Sequence, residues 1–137
     1  NVAKFRKYFD NFITITILFL FYLYLLTILW TKGARFDMIQ FLVPAFAVIF
    51  YYAGVLTERA KKNWFIGIRT PWTLSNDKVW EKTNALGGRF FKASGAIALL
   101  GIIFPASAIW FVLPPALFTV IYTIFYSYFE YRKQTVE

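Results

Sequence analysis

Residues 12–30 read FITITILFLFYLYLLTILW, an apolar run whose polar groups are limited to Thr and Tyr hydroxyls. At a rise of about 1.5 Å per residue, a helix of this length spans a hydrocarbon core of about 30 Å. Apolar blocks at 38–56, 93–113 and 114–131 fit the same requirement, with Pro114-Pro115 expected at the turn between the last two. The sequence therefore predicts an all-α polytopic membrane protein with four transmembrane helices.

The composition excludes several classes of protein and site. Hydrophobic residues make up 59% of the 137 residues and aromatic residues 23%, more than a soluble domain of this size can bury. The chain lacks Cys and His, which removes disulfides, thiolate nucleophiles and the commonest metal ligands, and no cofactor or metal is expected. The net charge of +8 is assigned to contacts with anionic lipid headgroups rather than with nucleic acid.

The basic residues predict the orientation of the helices. Thirteen of the 15 Lys and Arg residues lie in the N-terminal segment, the long loop between the second and third spans, and the C-terminal tail. The other two, Lys32 and Arg35, follow the first span. The positive-inside rule places the first group in the cytoplasm. The expected organisation of this multi-pass cell-membrane protein is a cytoplasmic N-terminal segment (1–11), two spans (12–56), a cytoplasmic signature loop (57–92), two more spans (93–131) and a cytoplasmic tail (132–137).

The signature loop, residues 57–92, has the pattern of a short amphipathic helix. Ser75 is a candidate N-cap, Asp77 would lie in the first turn, and Gly87-Gly88 would end the helix. One helical face then carries the less polar side chains, namely Val79, Trp80, Thr83 and Leu86. We expect a short helix over about 76–86 at the cytoplasmic membrane interface, with tryptophans as anchors.

Chemistry within the spans is poorly supported by the sequence. No acidic or basic residue lies in the middle of a predicted span, whereas proton-coupled transporters place ionisable groups there. Ser94, Ser107 and Ser127 lack a His partner, and no G-x-S-x-G motif is present. Asp77 and Glu81 could in principle bind Mg²⁺, but a solvated helix face is the simpler interpretation.

Arg69 is the charged residue that the sequence singles out, because it lies between Gly67 and Pro71 in the run GIRTPW. A guanidinium there can bind a lipid phosphate or a carboxylate with two hydrogen bonds, or stack on Trp64 or Trp72. In the competing interpretation Arg69 pairs with a glutamate and fixes the loop against the helix bundle. The glutamates expected near it are Glu58, Glu81 and Glu130.

The runs NWFIGIRTPWTL and VWEKTNALGG, at 63–74 and 79–88, strongly resemble the signature of the SdpI family of bacterial and archaeal membrane proteins. The resemblance covers roughly residues 44–101. Many members have His at the position of Asn84, so a role for a titrating imidazole is not carried over to this chain. Longer members carry a further N-terminal membrane region, and a first residue that is Asn1 rather than Met is compatible with a shortened chain.

The resemblance implies a non-enzymatic membrane protein that senses or neutralises a membrane-active toxin peptide. The partners implied are the lipid bilayer, a toxin peptide and a cytoplasmic regulator. A small transporter or lipid-handling protein with a cavity beneath the signature loop is the alternative, and a membrane enzyme acting on headgroups is a third. The candidate binding residues all lie in the signature loop: Asn63, Gly67, Arg69, Thr70, Pro71, Trp72, Thr73, Trp80, Thr83, Asn84 and Gly87.

The orientation can be tested by cysteine labelling, because the chain has no Cys of its own. Cysteines introduced at Asn1, Asn76 and Glu137 should be shielded from an impermeant thiol reagent in intact cells, because the positive-inside rule places them in the cytoplasm. A cysteine at Gly33 should be labelled. Labelling at position 76 together with protection at position 33 would reverse the proposed orientation.

Overall fold

The computed structural model describes residues 2–136 and is helical almost throughout. Six α-helices follow one another along these residues, with short 3-10 turns at Val2–Phe5 and Pro105–Ser107. The helices are α1 (Arg6–Thr31), α2 (Met38–Arg59), α3 (Pro71–Ser75), α4 (Asp77–Ala98), α5 (Leu100–Ile103) and α6 (Ala108–Val136). Four helical segments are long and apolar enough to cross a membrane: Val2–Thr31, Met38–Arg59, Asp77–Ile103 and Pro105–Val136. The chain is therefore an all-α multi-pass membrane protein, as predicted.

Helix α1 lies at the edge of the bundle and packs on α2. Leu26 is its only buried residue, so most of its apolar surface faces outward, as expected for a helix in lipid. After α1 the chain turns at Gly33, whose φ of 101° favours glycine. Asp37 then caps α2, because its carboxylate accepts hydrogen bonds from the backbone N–H groups of Ile39 and Gln40.

Helices α2 and α4 make the most extensive contact in the bundle. They approach closely because small residues face each other on the two helices. A Cβ on Gly88 would lie 2.6 Å from the backbone oxygen of Gly54, and one on Gly95 would lie 2.7 Å from that of Ala47. The small residues Gly88, Ser94, Gly95 and Ala98 of α4 are all buried.

Helix α6 packs against the other side of α4 through a stripe of polar residues. The buried members recur every three or four positions along an otherwise apolar helix: Thr119, Thr123, Ser127 and Glu130. The hydroxyls of Thr119, Thr123 and Ser127 donate to carbonyls of the preceding turn of α6. Thr119 also contacts the Ser94 hydroxyl at 3.2 Å, which joins α6 to α4. The stripe is a seam between helices, because hydroxyls bonded within their own helix carry little penalty in an apolar interior.

One end of the bundle collects most of the irregular structure. The connecting segment, residues 60–76 between α2 and α4, lies there beside the N-terminal turn. Phe5, Leu56, Ala60 and Trp80 form a buried cluster that joins these parts. Glu130, near the end of α6, contacts Lys82 at the same end. The two ends of the described chain and the connecting segment therefore share one side of the bundle.

The prediction of a separate interfacial helix over 76–86 is wrong in its boundaries. Asn76, rather than Ser75, is the N-cap, and the helix continues through Gly87-Gly88 to Ala98 as a single α4. The one-sided pattern is present, since Val79, Trp80 and Thr83 are buried. Gly87 and Gly88 lie inside the helix because α2 and the connecting segment pack closely against them, where a side chain would leave no room. This tertiary packing outweighs the low helix propensity of glycine.

The turn between the last two spans is also misplaced in the prediction. The break lies at Phe104-Pro105, and Pro114-Pro115 lies inside α6. Phe104 precedes a proline and leaves the helical region with ψ of 69°, as such residues are biased to do. The expected third span of 93–113 therefore becomes the last six residues of α4, then α5, the 3-10 turn and the start of α6. Proline is tolerated within membrane helices because neighbouring groups can satisfy the freed carbonyls.

The α2–α4 contact predicts a sensitive glycine. A Cβ at Gly88 would also lie 2.3 Å from Glu58 Cγ, so Gly88→Ala should force the helices apart. We expect a loss of about 1–3 kcal/mol in unfolding free energy, the range typical of overpacked cores. Thermal unfolding in detergent would measure it, with Ala96→Leu on the exposed face of α4 as the control. Equal stability of both variants and the unchanged protein would contradict this close contact.

Trp80 should also be sensitive to substitution, for a different reason. It is 1% exposed, and its indole N–H donates to the Ala60 carbonyl at 2.9 Å. Trp80→Ala should cost about 3–5 kcal/mol, as large-to-small core changes do. Trp80→Phe should be milder, because it keeps the apolar volume and loses mainly the hydrogen bond. Melting and proteolysis of the connecting segment that match the unchanged protein for both variants would rule out the docked arrangement.

Candidate functional site

The connecting segment begins with a compact turn built around Asn63, which is 9% exposed. Its side-chain oxygen accepts hydrogen bonds from the backbone N–H groups of Phe65 and Ile66, at 2.8 and 2.7 Å. Its amide nitrogen donates to the carbonyls of Lys61 and Ile66. Four hydrogen bonds from one side chain satisfy backbone groups that have no helix to bond with, so Asn63 acts as the organiser of this turn.

Asn84 fixes the next part of the connecting segment from within α4. Its oxygen accepts from the backbone N–H of Ile68 at 2.7 Å, and its nitrogen donates to the Trp80 carbonyl at 3.1 Å. Gly67, with φ of 106°, passes so close that a Cβ there would lie 2.6 Å from Asn84 Oδ1. Gly67 is therefore required both by its backbone conformation and by the lack of space. Gly87 serves the same approach, because a Cβ would overlap the Ile68 side chain.

Thr70 and Thr73 cap the short helix α3. The Thr70 hydroxyl accepts from the Thr73 backbone N–H, and the Thr73 hydroxyl accepts from the Thr70 backbone N–H, a reciprocal capping box. Thr70 has the extended backbone expected before Pro71, which occupies the first position of α3. Thr70 Oγ1 also lies 3.0 Å from Ser127 Oγ, which ties this cap to α6.

The remaining predicted site residues divide between the core and the rim. Trp72 is half-buried and meets the Tyr128 ring edge-on, with ring centroids 5.2 Å apart. Thr83 is fully buried, and its hydroxyl has no hydrogen-bond partner within the described chain. Nothing in the structure explains why a hydroxyl is placed there.

Arg69 is exposed, and its guanidinium donates a hydrogen bond to the Trp64 carbonyl. Within residues 2–136 no carboxylate pairs with it, and no aromatic ring stacks on it. The interpretation in which Arg69 pairs with a glutamate is therefore wrong for this structure. Two of the three candidate glutamates pair with other residues. Glu58 pairs with Lys92 at 2.7 Å, and Glu130 pairs with Lys82.

These two ion pairs join helices at the end of the bundle that holds the connecting segment. Glu58 is the penultimate residue of α2, so its pair with Lys92 links α2 to α4 near that end. Glu130 is buried in α6 and also accepts a hydrogen bond from Gln134 at 3.1 Å. Both carboxylates are matched by a cation, which a buried carboxylate such as Glu130 requires.

A groove of about 310 Å³ lies beneath the connecting segment. We call it the loop groove. Its upper part is formed by residues 67–70 of the connecting segment, and its lower part by residues of α2, α4 and α6. The latter are Thr57, Phe91, Val120, Thr123 and Ile124.

Sequence reasoning identified the segment that organises this site but missed its partners on other helices. Ser127 fixes the connecting segment from α6, and no contact of Ser127 with the signature loop was expected. Glu130 was expected near Arg69, but it pairs with Lys82 of α4 instead. The available signal was the recurrence of Thr119, Thr123, Ser127 and Glu130 at helical spacing in an apolar helix. Within residues 2–136, no group of three or more His, Cys, Asp or Glu side chains is arranged to hold a metal ion.

The chain is similar in sequence to known proteins. The chain is 25% identical over 118 residues to the Immunity protein SdpI of Bacillus subtilis (strain 168), which covers 85% of this chain and 57% of the relative. The chain thus spans little more than half the length of that relative. No solved structure matches it significantly. The SdpI/YfhL protein family matches residues 59–127, which is half of the chain. The matched region includes the whole connecting segment and most of the polar stripe of α6. The chain therefore belongs to the SdpI/YfhL protein family.

Proposed function

We propose that this protein senses or neutralises a membrane-active toxin peptide, without enzymatic chemistry. The relative from Bacillus subtilis, whose match covers 85% of this chain, is named an immunity protein. The chain also matches the SdpI/YfhL family. A peptide that acts on membranes would meet the protein within the bilayer, where four helical segments present apolar surface. A cytoplasmic regulator is the second partner we propose, at the connecting segment.

The observation that carries this proposal is the rigid presentation of Arg69. The segment around it is fixed by Asn63, Asn84 and the Thr70–Thr73 capping box, so its backbone has few alternative conformations. Arg69 nevertheless stays exposed, beside Trp64 and Phe65, which are 72% and 78% exposed. Exposed aromatic and Arg side chains on a preorganised backbone are typical of binding surfaces, because little conformational entropy is lost on binding.

The surface around Arg69 is, in this proposal, on the cytoplasmic side of the membrane. The structure places both described ends and the connecting segment on one side of the bundle, which the orientation from basic residues requires. The transporter or lipid-handling alternative has a groove beneath the connecting segment, but the comparisons give no support for transport. The proposal of a non-enzymatic role rests on the family resemblance and on the use of the polar side chains as structural ties.

The test is survival of sensitive cells that express the protein and are challenged with the cognate membrane-active peptide. We expect Arg69→Ala and Arg69→Lys both to reduce protection, because Lys lacks the planar fork that can make two parallel hydrogen bonds. Loss of one charge-assisted bond should weaken partner binding by about tenfold. Expression levels must be matched, and melting temperatures of the purified variants must be recorded alongside.

Lys61→Ala is the matched control, because Lys61 is an exposed cation in the same segment. It should leave protection intact. Lost protection with an unchanged melting temperature would support docking at Arg69, and lost protection with a large drop in stability would indicate a structural clasp instead. If Arg69→Lys behaved as the unchanged protein in both measurements, Arg69 would be only another positive charge.

A further inference from the structure

The loop groove has a polarity gradient along the axis of the bundle. The upper end of the groove is formed by residues of the connecting segment, including Arg69 and Thr70. Thr70 contacts Ser127, so this end of the groove lies at the height of Ser127 on α6. At its lower end are Phe91, Val120 and Ile124. Val120 lies about 10 Å below Ser127, at about 1.5 Å per residue of α6. A ligand that fills the groove therefore has a polar end at the connecting segment and an apolar end deeper in the bundle.

The groove also opens sideways towards the surroundings of the bundle. Val120 and Ile124 line it, yet they are 45% and 42% exposed. Both residues lie on α6, which is long and apolar enough to span the membrane. Their exposed surface therefore faces the hydrocarbon region, and an acyl chain could reach the groove laterally from the bilayer.

A polar group on the wall of the groove has no partner. Thr57 is 8% exposed, and its hydroxyl makes no hydrogen bond within residues 2–136. Hydroxyls of Thr in apolar helices usually bond to a carbonyl one turn back, as those of Thr119 and Thr123 do here. The Thr57 hydroxyl is thus available to a polar group of a ligand in the groove.

Arg69 supplies positive charge at the upper end. Its one hydrogen bond within the described chain goes to the Trp64 carbonyl, and a guanidinium has five N–H donors. The groove lining contains no carboxylate to neutralise this charge. A guanidinium with open donors above an apolar channel matches a phosphate that is attached to a hydrocarbon chain.

We propose that the loop groove binds one molecule of an anionic phospholipid. Its phosphate contacts Arg69, its glycerol or ester oxygens lie within reach of Thr57, and one acyl chain runs down between α4 and α6 past Phe91 and Val120. This site shares Arg69 with the partner surface proposed above, but its apolar lining at Phe91 and Val120 belongs to the lipid site alone. It gives the protein a bound lipid that fills the space beneath the connecting segment and braces it against α6.

The experiment uses the purified full chain in a neutral detergent, titrated separately with phosphatidylglycerol, phosphatidylcholine and inorganic phosphate. Native mass spectrometry counts bound lipid, and thermal unfolding measures stabilisation. We expect phosphatidylglycerol to bind one to one and to raise the melting temperature, since a ligand of the folded state stabilises it. Phosphatidylcholine and inorganic phosphate should do neither at the same concentrations.

Variants then locate the site. Arg69→Ala should weaken phosphatidylglycerol binding about tenfold, whereas Lys61→Ala, which removes a cation from the same segment, should not change it. Val120→Phe should also weaken binding, because the larger side chain fills the groove from a half-exposed position that can accept it without unfolding. Equal binding by the Arg69→Ala and Lys61→Ala variants would reduce the effect to general surface charge and overturn the proposal. So would full affinity in Val120→Phe, or equal stabilisation by inorganic phosphate or phosphatidylcholine.

Discussion

The hydrogen bonds from Asn84 to the backbone around Ile68 are the interaction on which the candidate site depends. An irregular segment beside an apolar bundle must satisfy its own backbone groups, because water is scarce there and each unpaired group is costly. Asn84 projects from a long helix, so it holds the segment at a fixed height and angle relative to the bundle. Gly67 and Gly87 make the approach possible by leaving room where side chains would collide.

The position of α4 in turn depends on the glycine contacts with α2. In lipid there is little hydrophobic force between helices, so close packing must stabilise their association. Gly54, Gly88 and Gly95 allow the backbones of α2 and α4 to approach to van der Waals distance. The other face of α4 meets the hydroxyl stripe of α6. Residues of α4 therefore serve two interfaces and the connecting segment at once. This explains why the buried positions of α4 after Leu86 are all small: Gly87, Gly88, Ser94, Gly95 and Ala98.

Arg69 differs from the polar residues around it. Asn63, Thr70, Thr73 and Asn84 are buried and bonded to the backbone, as structural residues should be. Arg69 is exposed on the same rigid segment, and its charge is not neutralised by a described carboxylate. The structure thus separates residues that build the segment from a residue that the segment presents. Both the proposed partner surface and the proposed lipid site use this presented charge, from the outer side and from the groove.

Sequence alone determined the class of fold, because the apolar runs and the charge pattern are local properties of the chain. It also located the signature loop and named Gly67, Trp80 and Asn84 among the candidate binding residues, and the structure shows contacts of all three that order the connecting segment. Helix boundaries depended on tertiary packing. Gly87-Gly88 reads as a stop in isolation, yet the approach of Gly54 and Ile68 turns it into a helix interior. The ion pairs near the site were decided by tertiary packing for the same reason. Lys82 pairs with Glu130, and Lys92 pairs with Glu58, because of how α4 faces α6 and α2. The spacing of these residues along the chain does not contain that information.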